Sequence, residues 1–347
     1  MDIIQTLQKN QDLWDLFTSK EEYSTALRDR FDRFPHYSSQ NRTVLDPKVS
    51  KYLIEQGLRF EYPGNRPFAV FLSHDIDHLY TTKRSKIGEA SNHLQSGRVS
   101  KGLKCISQMY SKKKPMWNFS EITDLEEKYG AKSTFFFLVD EPSNWDYNYP
   151  IEDCADVIKD LLNNRWEVGL HGGHDTYNSA DEMKKGKERL ERILKKPVAG
   201  YRNHYLRFRV PDTWVSLQEA GFLYDSTFGY ADCAGFRNGM CHPFRPYNLN
   251  TKKPLELIEI PLAIMDGTLE NYMRLDAANS WKIIKKLIDT VEGCNGVISI
   301  LWHNHGFFEE QKELYEKILK YCADKEAWMT SGEEIIKWCE KMPGFSF

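Results

Sequence analysis

The segment "LSHDIDHLY", residues 72–80, places two aspartates and two histidines directly after the apolar run Phe68–Leu72. Ionisable side chains at the end of a buried strand are costly to bury unless they are paired or used. Asp75 and Asp77 lie two positions apart, so on extended backbone both carboxylates point to the same side. The pattern indicates a site that binds a ligand and carries out chemistry, with a solvated loop as the alternative.

Histidines follow four of the apolar runs along the chain. They occur in "FLSHDIDH" (71–78), "VGLHGGHD" (168–175), "GYRNH" (200–204) and "ILWHNH" (300–305). Any one of these histidines alone is better explained as a capping or packing residue, because functional sites are few in each protein. Barrel enzymes, however, build their active sites from loops at the carboxyl ends of strands. Four strand ends with such side chains therefore predict one converging site.

The residue types in this set suit a metal ion. Asp77, His171 and His174 provide one carboxylate and two imidazoles, a ligand set that favours Zn²⁺ or a similar divalent ion. Three protein ligands leave one coordination position open for water, as catalysis requires. Asp75 and His303 then remain for proton transfer.

Eight short apolar runs predict the strands that position these residues. They span residues 68–73, 133–139, 166–170, 197–201, 222–226, 257–262, 296–302 and 327–331. Stretches with apolar residues three and four apart, such as 149–165 and 179–196, separate most of them. This alternation predicts a parallel sheet covered by helices. The strand number favours an α/β fold closed into a (β/α) barrel, and a doubly wound open sheet is the alternative.

The chain divides into two parts on this interpretation. Residues 1–65 have helical and polar character, and they end at the turn cluster "YPGNRP". Residues 66–347 form the barrel. The long polar gap after the first strand predicts a helical insertion at about 80–118.

Composition excludes some classes of partner. The chain has 347 residues and a net charge of -3, so nothing requires nucleic acid or an acidic membrane surface. No apolar run reaches the length of about 18 residues needed to span a bilayer, and no secretory signal is recognisable. The seven cysteines form no CxxC motif, which is typical of reduced thiols. A cytoplasmic location is therefore expected. The oligomeric state is not indicated.

Five segments in this order resemble the motifs of the NodB-like polysaccharide deacetylases, which are metal-dependent carbohydrate esterases. These segments are "LSHDIDH", "STFFFLV", "EVGLHGGHD", "GYRNHY" and "SILWH". The resemblance covers about residues 66–335. It implies a distorted (β/α) barrel, one divalent metal, and an N- or O-acetylated sugar or glycan precursor as substrate.

The resemblance also implies roles for individual residues. Asp75 matches the catalytic base, and Asp77 and His171 match metal ligands. Arg202 matches the arginine that orients the base. Tyr205 falls where a backbone N–H stabilises the oxyanion. The general acid is matched by His303.

Three departures mark an atypical member of the family. The metal histidines of the family are four residues apart, whereas His171 and His174 are three apart and Asp175 occupies the fourth place. The third ligand is thus His174, Asp175 or water, and His174 is the expected one. His204 replaces the proline of the family's Arg-x-Pro-Tyr motif, and Ile76 separates the two aspartates.

Two other functions fit the same residues. Metal-dependent hydrolysis of a phosphoester or a non-sugar amide is one, since "HDIDH" and "HNH" contain enough ligands for two metals. A catalytically impaired glycan-binding protein is the other. The segment 224–247, with Arg237, His242 and Arg245, either lines a substrate pocket or is a structural loop over the barrel mouth.

Overall fold

A computed structural model describes residues 2–79, 116–141, 145–146 and 149–342 of the protein. Almost all of the insertion expected at about 80–118 lies outside the described residues. The part of it that is described, residues 116–118, leads directly into a helix.

Strands in the described part of the chain form one large parallel sheet and one small antiparallel pair. Their bounds are β1 (Ala69–Ile76), β2 (Thr134–Leu138), β3 (Glu167–Gly172), β4 (Gly200–Asn203), β5 (Tyr224–Asp225), β6 (Tyr247–Asn248), β7 (Lys253–Pro254), β8 (Ile258–Glu259), β9 (Leu262–Met265), β10 (Val297–Leu301) and β11 (Trp328–Thr330). The antiparallel pair is β6 and β7. All eight apolar runs of the sequence contain strands, and the run 257–262 is divided between β8 and β9.

The parallel sheet has the order β8-β5-β4-β3-β2-β1-β10-β9, and β11 pairs with the first half of β1. Its two outermost strands in this order, β8 and β9, are consecutive in the chain and are joined by Ile260 and Pro261. The sheet must therefore curl until its ends approach each other. This is the (β/α) barrel predicted from the strand pattern, in the distorted form that the family resemblance implies, and the open doubly wound sheet is not observed.

Ten α-helices are assigned within the described residues. They are α1 (Ile3–Leu7), α2 (Gln11–Phe17), α3 (Lys48–Glu55), α4 (Phe119–Lys128), α5 (Ala155–Asn163), α6 (Ala180–Leu194), α7 (Asp212–Glu219), α8 (Ala277–Gly293), α9 (Glu309–Asp324) and α10 (Gly332–Cys339). The Ser179 side chain accepts a hydrogen bond from the Glu182 N–H at 3.3 Å, so α6 begins as its sequence predicts.

The two faces of β1 differ in what they contact. Val70 and Leu72 pack in the outer apolar core that includes residues of α1–α9, whereas Ala69 and Phe71 pack inside the barrel with residues of other strands and of α10. The alternation of side chains along a strand therefore directs the odd-numbered residues inward. Asp75 continues this inward row towards the carboxyl end of the strand, where the apolar interior becomes polar.

The helices α1–α3 share one continuous apolar core with the barrel. Trp14 and Phe17 of α2 contact the rings of Tyr247 and Phe244 at centroid distances of 4.8 and 5.4 Å. No helix in the described parts of the chain combines the length and apolar character needed to cross a membrane.

Candidate metal centre and active-site cleft

Side chains at the end of β1 divide between the two faces of the strand. The His74 ring points outward, with Nε2 2.9 Å from Glu126 Oε1 on α4 and Nδ1 2.7 Å from the Trp302 carbonyl oxygen. His74 is fully buried in this network. It is therefore a structural histidine, and the opening motif contributes Asp75, Asp77 and His78 to the cleft.

Asp77, His171 and His204 form a cluster whose geometry is suited to a metal ion. One potential ligand atom from each lies within 4.8 Å of the other two. Nε2 of His171 is 3.1 Å from Asp77 Oδ1, and Nε2 of His204 is 3.8 Å from Asp77 Oδ2. All three residues are buried. Among the described residues, this is the one group of three such ligands.

Hydrogen bonding within the cluster leaves the potential ligand atoms free. His171 Nδ1 is 2.9 Å from the Arg202 carbonyl oxygen, and because a carbonyl only accepts, Nδ1 carries the proton. A neutral His171 therefore presents an unprotonated Nε2. Apart from their approach to each other at 3.1 Å, neither this Nε2 nor Asp77 Oδ1 has a hydrogen-bond partner, although both atoms are buried. Buried polar atoms rarely remain unpaired, and a bound cation would satisfy both.

Charge in the cluster also suits a cation. Burial alone would raise the pKa of Asp77, but the neighbouring rings of His204, His171 and His303 hold that pKa well below its usual value. The carboxylate is therefore ionised at neutral pH. Asp75 and Asp77 in turn raise the pKa of His171, against the effect of its burial. A divalent metal would bind the anionic oxygen and displace the ring protons, since the neutral imidazole is the form that binds metals.

Asp146 supports the His204 ring from the side opposite the cluster. Its Oδ1 is 2.9 Å from His204 Nδ1 and also accepts the His174 backbone N–H at 2.7 Å. Carboxylates commonly orient metal-binding histidines in this way, by fixing the tautomer and the ring plane. The sequence motifs did not identify Asp146.

His174 does not belong to the cluster, so the structure does not bring together the three ligands expected from the motif. Its Nδ1 lies 2.8 Å from both Asp175 Oδ1 and Arg207 Nη1. Its ring stacks on Trp145, with centroids 5.0 Å apart and planes at 13°. These contacts direct the ring, because β3 ends at Gly172 and the strand no longer controls side-chain direction at residue 174. Asp175 is likewise outside the cluster.

The expected base, Asp75, lies beside the expected orienting arginine. Asp75 Oδ1 is 3.5 Å from Arg202 Nη1, and Oδ2 is 3.7 Å from His171 Nε2. Arg202 is completely buried. Its Nη2 donates to the hydroxyls of Ser73 and Ser226, each at 3.0 Å. The guanidinium is thus held in place against Asp75.

Asp266 holds the expected acid, His303, by two hydrogen bonds. His303 Nδ1 is 2.6 Å from Asp266 Oδ1, and the His303 backbone N–H donates to Oδ2 at 2.9 Å. The other ring nitrogen, Nε2, is 3.6 Å from Asp77 Oδ2. Asp266 directly follows β9, so its position after an apolar strand was the available signal for it.

Two neighbouring histidines have opposite charge preferences. Burial opposes protonation of His303, but Asp266, Asp77 and Asp75 outweigh it and raise its pKa to about 10. Burial and the adjacent His303 lower the pKa of His305 to about 4. Their ring centroids are 5.0 Å apart. At neutral pH His303 is therefore protonated and His305 is neutral.

Tyr205 has an unusual backbone conformation at the edge of the same cleft. Tyr205 and the next residue, Leu206, have φ values of 61° and 54°, in the left-handed region that non-glycine residues rarely adopt. Tyr205 lies in the first turn of a short 3-10 helix, His204–Leu206, where N–H groups have no acceptor within the helix, and no bond from its N–H to another described segment is observed. This N–H is therefore available to a ligand.

Five of the seven predicted site residues border one cleft of about 580 Å³, and Arg202 and His174 do not. Asp75, Asp77, His171, Tyr205 and His303 all line it. Three histidines of the predicted segments that had no assigned role, His78, His204 and His305, also line it. The other polar and aromatic side chains at the cleft were not identified by the motifs: Arg33, Trp145, Asp266, Glu270, Tyr272, Phe308 and Gln311. Three of these are partly exposed aromatic residues, with exposed fractions of 50% for Trp145, 40% for Tyr272 and 44% for Phe308.

Arg237, His242 and Arg245 lie elsewhere and have structural partners. Arg237 donates to the Glu22 carboxylate, and both side chains are only 2% exposed. His242 Nδ1 is 2.9 Å from Ser50 Oγ, and Arg245 Nη1 is 3.1 Å from Glu256 Oε2. The segment 224–247 is therefore a structural loop at these positions.

Comparison with known proteins identifies the fold. No family model matches the chain, and no curated protein matches it by sequence. A solved structure from Mycobacterium smegmatis, assigned as a polysaccharide deacetylase, aligns with a TM-score of 0.54 at 16% identity. The alignment covers 81% of this chain and 93% of that one. The chain thus has the polysaccharide deacetylase fold that its NodB-like motifs imply.

Weaker structural similarities extend to two Bacillus proteins. The polysaccharide deacetylase Bc1974 from Bacillus cereus aligns with a TM-score of 0.41 at 13% identity, covering 76% of this chain and 91% of that one. A CE4 family pseudoenzyme from Bacillus anthracis aligns with a TM-score of 0.43 at 10% identity, covering 78% and 66%.

Proposed function

We propose that the protein is a metal-dependent hydrolase that removes an acetyl group from an N- or O-acetylated sugar or glycan precursor. One observation carries this proposal. The Asp77–His171–His204 cluster, the Asp75–Arg202 pair and the His303–Asp266 pair meet around a single cleft. A cation site flanked by a base and an acid is the arrangement that hydrolysis of an ester or amide requires.

In this proposal Asp77, His171 and His204 hold one divalent ion. One carboxylate and two imidazoles favour Zn²⁺, and the unpaired atoms of the cluster support such an ion. When bound, the ion would act as a Lewis acid towards the acetyl carbonyl and would lower the pKa of a water molecule. His204 thereby takes the role expected for His174, on the loop after β4 in place of the loop after β3.

Asp75 is the proposed general base. Its carboxylate would accept a proton from the attacking water, which requires the ionised form. Arg202 favours that form by charge pairing at 3.5 Å and restricts the orientation of the carboxylate.

The proposed general acid is His303, acting through Nε2. Asp266 binds Nδ1, so the proton available for transfer is the one on Nε2. The raised pKa keeps the ring protonated at neutral pH, ready to donate to the leaving amine or alcohol. The unpaired N–H of Tyr205 is the proposed donor to the developing oxyanion.

Aromatic residues at the cleft support a carbohydrate substrate. Trp145, Tyr272 and Phe308 are partly exposed although large aromatic side chains are usually buried. Flat aromatic surfaces can pack on the apolar faces of sugar rings. The single three-ligand cluster among the described residues favours one metal, and so a deacetylase over a two-metal phosphoesterase.

The test combines metal content with acetate release. Protein purified without chelator should contain one divalent ion per chain, and it should release acetate from N-acetylglucosamine oligomers or O-acetylated xylan. Chelation should abolish the release and Zn²⁺ should restore it. Asp75→Asn is the matched control, because it should retain the metal and lose turnover.

Other outcomes would support the alternatives. Two ions per chain with hydrolysis of a phosphoester would favour the phosphoesterase. Sugar binding without acetate release, in protein with full metal content, would favour a glycan-binding protein.

A further inference from the structure

Part of the N-terminal segment, residues 29–33, packs on the loop that contains Tyr205. The Phe31 ring stacks on the Tyr205 ring, with centroids 4.7 Å apart and planes at 22°. The Phe31 carbonyl accepts a hydrogen bond from Arg207 Nε at 2.8 Å. These contacts join two segments that lie more than 170 residues apart in the chain.

Arg33 makes the most direct contact with the Tyr205 backbone. Its Nη1 donates to the Tyr205 carbonyl at 2.9 Å, and its Nη2 donates to the Tyr272 hydroxyl at 3.0 Å. Its Nε donates to Asp29 Oδ2 at 2.8 Å. Arg33 is only 5% exposed. Because each nitrogen of the planar guanidinium is bonded, the group is held in one orientation.

The backbone that Arg33 contacts is one that needs support. Two successive left-handed residues, Tyr205 and Leu206, persist only where the surrounding structure holds them. The Tyr205 carbonyl and the Tyr205 N–H lie on the two sides of the same Cα. Fixing the carbonyl therefore restricts the direction of the N–H, which lacks an acceptor among the described residues.

We infer that Arg33 is a positioning residue: it holds the Tyr205 backbone so that its N–H can receive the oxyanion of the reacting acetyl group. The N-terminal segment is thereby part of the active site, although the family motifs begin after it. The inference deepens the proposed function and rests on it for its catalytic consequence.

The first test measures the environment of the Tyr205 backbone amide directly and needs no substrate. Protein labelled with ¹⁵N-tyrosine is compared by amide NMR as wild type, Arg33→Met and Arg33→Lys, with the Tyr205 peak assigned by Tyr205→Phe. The Tyr205 peak should shift or broaden in Arg33→Met. Arg33→Lys retains a charge opposite Asp29, so it should fold and show a smaller change.

Arg30→Met is the matched control. Arg30 is exposed and, like Arg33, lies over the Phe31 ring, with its guanidinium carbon 4.6 Å from the ring centroid. Its loss removes the same charge without removing a bond to Tyr205, so the Tyr205 peak should stay in place. An unchanged peak in Arg33→Met, or an equal change in Arg30→Met, would overturn the inference.

The second test separates positioning from a general loss of structure. Arg33→Met should lower kcat about 10- to 100-fold, because a small misplacement of an oxyanion donor has effects of this size. KM and metal content should stay close to wild type, and Arg33→Lys should recover part of the rate. A change in KM or metal content alone would refute the positioning role.

The two proposals can fail separately. Absence of acetate release from the metal-loaded wild type would refute the proposed function, whereas the NMR comparison would still decide whether Arg33 holds the Tyr205 backbone.

Discussion

Asp146 Oδ1 lies 2.9 Å from His204 Nδ1, on the side of the ring opposite Asp77. The motif after β3 departs from the family in its histidine spacing. In the proposed metal site, His204 from the loop after β4 supplies the imidazole expected from that loop, and Asp146 orients its ring. His204 stands where the family has a proline, so in this proposal the two departures compensate for each other.

His204→Ala should abolish metal retention, whereas His174→Ala should not. The first change removes a proposed ligand, and even the loss of a residue that merely supports a ligand weakens binding about 10- to 100-fold. Metal content after dialysis, measured by mass spectrometry, compares the two variants directly. Equal metal content in both would show that His204 is not a ligand.

Asp146→Asn should weaken metal binding about 10- to 100-fold without abolishing it, because it removes the carboxylate that orients His204. Competition with a chromogenic chelator measures the affinity. Asp175→Asn is a suitable control, since the Asp175 side chain is 81% exposed and outside the cluster. An unchanged affinity for Asp146→Asn would mean that the His204 ring is held by other contacts.

Asp266→Asn should reduce turnover of an acetylated sugar about 10²-fold or more at unchanged metal content. The change removes the charge that keeps His303 protonated and oriented, and a positioned acid contributes about 10²–10⁴-fold. His303→Ala and Asp75→Asn should each show losses in that same range. Steady-state kinetics on metal-loaded protein provides the measurement. Full activity of Asp266→Asn would exclude His303 as the acid in this mechanism.

Glu22→Gln should destabilise the protein by about 3–5 kcal/mol, because it leaves the buried Arg237 guanidinium without its counter-charge. Urea unfolding gives the free energy of unfolding. Asp15→Asn removes the exposed partner of Lys20 in the same N-terminal segment and should change stability by about 0–1 kcal/mol. Similar effects of the two changes would contradict the structural role assigned to Arg237.

Stability should fall on acidification in a way that depends on His242. Burial lowers the pKa of His242 to about 4, against about 6.5 in an unfolded chain. The unfolded state therefore binds more protons between these values. The contribution of neutral His242 is fully present above about pH 6.5 and is lost as the pH falls towards 4.

The contribution of His242 to the pH dependence of stability can be measured by comparing wild type with His242→Gln. At pH 7 the variant should be less stable than wild type, because it loses the contacts of the ring with Ser50 and Phe60. At pH 5 that deficit should shrink by about 2 kcal/mol. The reason is that His242 is then protonated in the unfolded wild type but still neutral in the folded state, so the wild type loses stability. Urea unfolding at the two pH values checks this. An equal deficit at both would contradict the assigned burial of a neutral ring.

Much of the barrel was predictable from local sequence. Apolar runs of strand length, separated by segments with helical periodicity, are local properties, and each of the eight runs contains a strand. Alternation along β1 also places Asp75 inward and His74 outward. The shared carboxyl edge of a parallel sheet then brings Asp75, Asp77, His171 and His303 to one cleft, as the motifs indicate.

Tertiary structure alone decided the contacts that complete the site. Beyond the end of a strand, spacing no longer determines where a side chain points, so His174 and His204 could not be distinguished by sequence. Asp146 contacts His204, 58 positions away, and Arg33 contacts Tyr205, 172 positions away. The local sequence around Asp146 and Arg33 does not predict these partners. Loop side chains take their direction from packing against distant segments, and that packing exists only in the folded chain.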